Sequence, residues 1–371
     1  YKRQLFTFDK AYVKEFCRAY RRVTDVPFVV NAHVGFFDDE CAAQERESQG
    51  ILAWSLDRFA SSPLNGVTGI HARERGPMET PYTLWSRDEL RRPGSPPCYT
   101  GEQTREIAFP LGGIGTGCVS LTGTGGLRDW EIFNRPNKGS VMPYTFAALW
   151  VRQRGHEPIT RVVQGPAQPP YSGQGVSSYQ GFGFGVERMN GSGLPPMRSV
   201  AFGGAFPIAE VVFSDPGLPV QVALEAYSPF IPLNPDDSGL PIAVFNYRVH
   251  NQTDEPIEVA LAFNLFNPLG YPGKGAFTGA HLGQNLNAFH DDGLVRGLAM
   301  STGKVAPDDP AYGTMALMTT WTETFHQCCW LRGGWFDALH DFWDHFSREG
   351  SVPARELGPS DEGSSDVGTL G

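Results

Sequence analysis

The chain has no run of 18 or more apolar residues and no charged n-region followed by an apolar h-region at its start, so neither a spanning helix nor an export signal is read from it. It also has no surplus of basic charge. Lys and Arg together number 30 against 40 Asp and Glu, for a formal charge of -10, and a chain of that sign gives a phosphate backbone nothing to hold on to. Nucleic acid is excluded as a partner on that ground, and the expected setting is cytoplasmic. Cysteine is sparse. Cys17, Cys41, Cys98, Cys118, Cys328 and Cys329 form no CxxC pair and no framework spacing, which fits a reducing compartment better than a disulfide scaffold.

Glycine and proline, by contrast, are plentiful (44 and 30), and aromatics make up 12%. That mixture suits a turn-rich β protein. At 371 residues the chain exceeds one average domain of roughly 150 residues. It begins at Tyr1, has its first methionine at Met78 and ends in EGSSDVGTLG, so a fragment at both ends is expected.

Three stretches follow one another. In residues 1–45, the apolar runs LFTF and VPFVVN flank a segment, Asp9 to Val23, whose Tyr12, Val13, Phe16, Cys17 and Tyr20 share a helical face: a βαβ unit. Residues 46–79 lose periodicity and read as a linker or poorly ordered junction. Arginine outnumbers lysine 24 to 6, a bias of GC-rich coding DNA, and an unrelated gene end joined upstream of Met78 would explain such a junction. Sequencing reads spanning it in one intact frame would refute that. From residue 80 onward the pattern alternates with period two, over Ile208 to Phe213, Val220 to Tyr227, Ile242 to Val249 and Ile257 to Phe266, with SDPG, NPDDSG, NQTDE and PLGYPGKG as turns. This spacing predicts an antiparallel two-sheet β-sandwich. Trp335, Phe336, Leu339, Phe342, Trp343 and Phe346 then mark a short C-terminal helix that should pack on a sheet.

Several motifs fail their own tests. LGGIGTG (Leu111 to Gly117) puts Cys118 or Ser120 where the third glycine of GxGxxG belongs, and CVSLTGTGG after it is strand and turn, so it reads as tight turns and close backbone approach. GYPGKG lacks the Ser or Thr of a P-loop after Lys274. Asp236-Asp237, Asp291-Asp292 and Asp308-Asp309 offer carboxylate pairs of the kind glycoside hydrolysis needs, but each lies in turn sequence. In HDFWDH the histidines are five apart and leave a helix in different directions, so no metal is expected there; no cofactor is expected either. Asn190-Gly-Ser and Asn251-Gln-Thr match the glycosylation sequon, which means little without an export signal.

LRDWEIFNRP (Leu127 to Pro136) concentrates charge and aromatics. A sugar site would use Trp130 as an apolar platform with Arg128, Asp129 or Asn134 as fixed hydrogen-bonding groups; the alternative is a buried ion-pair network at a domain interface with Trp130 as core.

Residues 1 to about 45 resemble the middle of a radical SAM barrel but lack the CxxxCxxC cluster, so no activity transfers. The rest carries a more specific resemblance. IAFPLGGIGTGCVSL, LRDWEIFNRPNKG, PYTFAALW, FGGAFPIAEV, YSPFIPLNPDDSGLPIAVFNYRVHN and RGGWFDALHDFW are together similar to the N-terminal portion of glycoside hydrolase family 116, the bacterial β-glucosidase and non-lysosomal glucosylceramidase group. The resemblance implies a β-sandwich packing on a C-terminal α/α barrel that carries the nucleophile and acid/base of a retaining mechanism. No residue here matches those catalytic motifs, so no catalytic residue is assigned. The implied partners are the chain's own C-terminal catalytic domain and a β-glucoside or related glycan. A free-standing carbohydrate-binding module is the alternative.

Overall fold

The computed structural model describes residues 28–36 by their backbone and residues 97–168, 193–271, 277, 283–309, 311–333 and 337–371 in full. The described residues 28–36 and those from 98 onward belong to one compact unit. The expected Leu5–Phe8 strand, the Asp9–Val23 helix and the 46–79 junction lie outside the described residues.

The unit is mainly β, as expected. Its described strands fall into three sheets rather than the expected two. The largest is built from β1 (Phe28–Phe36), β2 (Cys98–Thr100), β8 (Ser199–Ala205), β9 (Ile208–Ser214), β10 (Val220–Tyr227), β11 (Ile242–Asn251), β13 (Asn285–Asp291), β14 (Arg296–Thr302) and β15 (Met315–Thr319). Their order is β13-β14-β15-β1-β11-β10-β9-β8-β2. A second sheet runs in the order β16 (His326–Gln327), β17 (Val367–Leu370), β12 (Ile257–Phe266), β6 (Phe146–Gln153), β7 (Ile159–Val162). A small third sheet holds β3 (Ala108–Leu111), β4 (Cys118–Thr122) and β5 (Leu127–Glu131). The pairings are antiparallel except those of β1, which lies parallel to both β11 and β15.

Period two was a good guide to these strands, because a strand shows alternate side chains to opposite faces. In β11, Phe245, Tyr247 and Val249 are buried while Asn246 and Arg248 between them are not. β12 departs from the rule: every residue from Leu261 to Phe266 is buried. The cause is position. β12 sits between β17 and β6, and its sheet is covered on both faces. On one face Phe263 meets Phe245 of the nine-stranded sheet, with ring centroids 5.8 Å apart. On the other lies the helix α2 (Asp337–Glu349), whose Phe342 meets Phe146 at 5.9 Å and whose Ser347 carbonyl accepts the Trp150 indole N–H at 3.1 Å.

The helix therefore packs where its apolar stripe predicted, with Leu339, Phe342 and Phe346 buried; Trp335 and Phe336 fall outside the described residues. Trp330 stacks on Phe342 at 4.8 Å, extending the same aromatic layer. A second, one-turn helix, α1 (Pro235–Ser238), begins on Asn234, whose side chain accepts from the Asp237 amide. No helix among the described residues is long and apolar enough to cross a membrane.

Candidate functional site

The three-stranded sheet carries both segments singled out in the sequence. LGGIGTG is the β3–β4 turn, and LRDWE is β5 itself, with Cys118 opposite Glu131.

The glycines of the turn serve close approach. Gly112 has φ +143°, and a Cβ there would lie 2.2 Å from the Gly117 carbonyl oxygen; one on Gly113 would lie 2.5 Å from the carbonyl oxygens of Gly239 and Leu240. The Gly112 amide donates to Ser228 Oγ, and the Ile114 amide to the Ser238 carbonyl at 2.8 Å. These amides are spent on the protein's own backbone and side chains, so the turn is no phosphate cradle.

β5 ends in a knot of charge. A register shift in its pairing with β4 between Cys118 and Ser120 accompanies a left-handed Asp129, φ 55°. Asp129 is buried and accepts the Gly139 amide at 2.6 Å, while its own amide donates to the Ser140 carbonyl at 2.8 Å. Ser140 Oγ accepts the Trp130 amide at 2.8 Å, and Asn137 Nδ2 donates to the Trp130 carbonyl. Lys138 bridges two carboxylates, 2.7 Å from Glu131 Oε2 and 4.0 Å from Asp129 Oδ2. Its ammonium holds the Glu131 carboxyl below the usual range, and Glu131 in turn holds Lys138 up. A carboxyl so held is ionised at neutral pH and has no proton to give as a general acid.

The four sequence candidates separate accordingly. Trp130 is 0% exposed and belongs to the core, so its face is closed to a sugar. Asp129 is interior and part of the clip just described. Arg128 is half-buried, with Nε 3.6 Å from Asp129 Oδ2 and in no hydrogen bond among the described residues. Only Asn134 is exposed, in a left-handed conformation (φ 53°) that asparagine tolerates. Nearby Arg135 is tied down, donating to the Tyr271 carbonyl at 2.6 Å with its guanidinium over the Phe133 ring. The structure thus brings Arg128 and Asp129 together and leaves Asn134 apart. Asn137, Lys138 and Ser140 are the members the sequence reading did not name; the turn sequence PNKG was the available signal.

Asp308-Asp309 lies in a turn, as read, Asp291-Asp292 at the turn that ends β13, and Asp236-Asp237 in the one-turn helix α1. The side chain of Asp291 accepts from the Gly293 amide, that of Asp292 from Leu294 and Val295, and that of Asp309 from Ala311. A carboxyl pair that sequence reasoning missed is formed across strands, where Glu210 of β9 faces Glu225 of β10. Glu225 takes Arg248 at 3.2 Å, and burial pushes Glu210 up to about 6, with Arg248 opposing and Glu225 reinforcing the rise.

An apolar surface adjoins the LGGIGTG turn. Phe206, 62% exposed at the tip of the β8–β9 hairpin, packs on Phe230 at 5.0 Å and on Phe109 of β3 at 6.5 Å; Ile114 and Leu233 are also exposed. Between the sheets, a cavity lined by Gly125, Leu127, Phe146, Phe245, Tyr247 and Phe263 has a volume of about 10 Å³, which is room for about one water molecule and not for a sugar.

A protein-family model described as "beta-glucosidase 2, glycosyl-hydrolase family 116 N-term" matches residues 108–370. The match takes in all three sheets from β3 onward, α1 and α2.

Proposed function

We propose a function on the premise that this chain belongs to the glycosyl-hydrolase family 116 N-terminal domain family: it is the non-catalytic domain of a retaining β-glycosidase acting on β-glucosides or related glycans. In this reading residues 80–371 make up that domain and residues 1–45 and 46–79 precede it as a βαβ fragment and a junction, with β1 (Phe28–Phe36) of the first stretch paired into the domain's nine-stranded sheet. The nine- and five-stranded sheets are the two layers of a sandwich. Its work is to pack on a C-terminal α/α barrel that holds the catalytic carboxylates, and to shape the rim of that barrel's site.

The single observation that carries the reading is the family match over residues 108–370. The site supports it. The charged β5 loop is braced internally rather than open, while Phe206, Ile114 and Leu233 present apolar side chains beside the LGGIGTG turn. Exposed apolar groups gathered in one place mark an interaction surface, of the kind a neighbouring domain would cover.

The test is a comparison of three proteins on an aryl β-glucoside: the chain alone, the chain continued into a family 116 catalytic domain, and the latter with Phe206→Glu and Leu233→Glu. Hydrolysis is expected only from the joined protein, with activity or thermal stability lowered by the two substitutions. Hydrolysis by the chain alone would overturn the reading. So would a joined protein indifferent to both substitutions.

A further inference from the structure

At β16 of the five-stranded sheet, three chemically different ligand groups converge. His326 of β16, Cys328 just beyond it and Glu356, in the segment after α2, each place one ligand atom within 4.8 Å of the others. Sequence reading expected no metal in this chain, because it weighed only the two histidines of α2. The cluster is invisible to such a search, since Glu356 comes 28 residues after Cys328 and has no fixed spacing to it.

Each group is held in place by different means. His326 lies in β16 and Cys328 at the bend that follows it. The His326 ring is stacked on Phe289 of β13, centroids 3.8 Å apart and 7° from parallel, so its plane is fixed. Its Nε2 faces Glu356 Oε1 at 3.9 Å. Cys328 is 1% exposed, with Sγ 3.9 Å from the same carboxylate oxygen. Glu356 is brought there by the backbone: the Cys328 and Cys329 amides both donate to the Arg355 carbonyl, at 3.0 and 3.3 Å, and Gln327 Nε2 donates to the Pro353 carbonyl at 2.9 Å. The Glu356 side chain is 70% exposed, so solvent reaches the cluster from that side.

We propose that His326, Cys328 and Glu356 form a zinc site that clasps the segment after α2 to β16. One thiolate, one imidazole and one carboxylate are the donor types that Zn²⁺ takes, and three protein ligands leave a fourth, tetrahedral position for water. Metal–ligand distances of about 2.0 to 2.3 Å place tetrahedral donors roughly 3.3 to 3.7 Å apart. Binding must draw the three ligand atoms together from separations of at most 4.8 Å, 3.9 Å for the two pairs that include Glu356, whose exposed side chain can rotate inward. Without metal, burial and then Glu356 push the Cys328 thiol up to about 11. Binding therefore displaces the thiol proton to solvent as the sulfur–zinc bond forms.

The experiment uses the full chain stripped by a chelator and titrated with Zn²⁺ against a chromophoric competitor, and with Co²⁺ as a spectroscopic probe. About one equivalent of Zn²⁺ is expected, and a thiolate-to-cobalt charge-transfer band that disappears in Cys328→Ser but persists in Cys98→Ser, Cys329→Ser and the Cys17→Ser/Cys41→Ser double variant. Because Cys328→Ser changes a buried residue, Glu356→Gln is the second arm. That exposed substitution should leave the metal-free melting temperature unchanged and weaken Zn²⁺ at least ~10-fold, the loss that even outer-shell changes produce. No stoichiometric zinc, a charge-transfer band surviving Cys328→Ser, or unaltered affinity in Glu356→Gln would each overturn the assignment.

Discussion

Lys138 reaches Glu131 at 2.7 Å while Asp129, two residues earlier on the same strand, is held from the other side by the Gly139 amide at 2.6 Å. One short loop, 137–140, therefore clamps both carboxylates of β5, and their energetic weights differ because only one of them is buried.

Lys138 is 67% exposed, so its ion pair is screened. Lys138→Met should cost less than about 1 kcal/mol. Asp129→Ala should cost more, about 2 to 3 kcal/mol, because it removes the buried acceptor of the Gly139 amide and places alanine at positive φ. Urea unfolding of both variants checks the order. Glu131 has a depressed carboxyl in the folded state, so its contribution is present above the unfolded value of 4.5 and is lost as pH falls through the folded one. Lys138→Met should remove that acid-limb loss.

Glu210 gives the opposite sign. Its folded value of about 6 lies above the unfolded 4.5, so the folded state binds more protons across that window and loses stability as pH rises through it. Glu210→Gln should flatten this limb and raise stability at pH 7 by about 1 to 2 kcal/mol. Melting temperatures measured from pH 4 to 7 would show a crossing toward the variant, and a variant less stable at pH 7 would refute it.

Trp130→Ala should destabilise by about 3 to 5 kcal/mol, as for other buried tryptophans. Loss of sugar binding in that variant would report unfolding. Asn134→Ala, exposed just beyond β5, leaves the core intact and so keeps a binding measurement free of unfolding. Glucoside binding by the isolated chain is expected to be undetectable by calorimetry, in wild type and in Asn134→Ala alike.

The two glycines Gly112 and Gly115 should separate turn geometry from close packing. Gly115 has φ +76° with open space around its absent side chain, so Gly115→Ala should cost only the left-handed penalty of about 1 to 2 kcal/mol. Gly112→Ala adds a collision 2.2 Å from the Gly117 carbonyl oxygen and should cost clearly more or abolish folding. Chemical denaturation of the pair decides it.

The sequence by itself determined the strands from Ile208 to Phe266 and the helix of Leu339, Phe342 and Phe346, because a periodic apolar face is a local property that survives any arrangement of neighbours. It also determined that LGGIGTG is a turn, from its residue types, and that Asp291-Asp292 and Asp308-Asp309 belong to turns, where aspartate accepts from amides two or three residues on. Only the tertiary structure decided the rest. Burial of Trp130, double covering of β12, the Glu210–Glu225 pairing and the convergence of His326, Cys328 and Glu356 all depend on which strand lies beside or behind another. Those contacts join residues remote in sequence, and spacing along one chain carries no record of them.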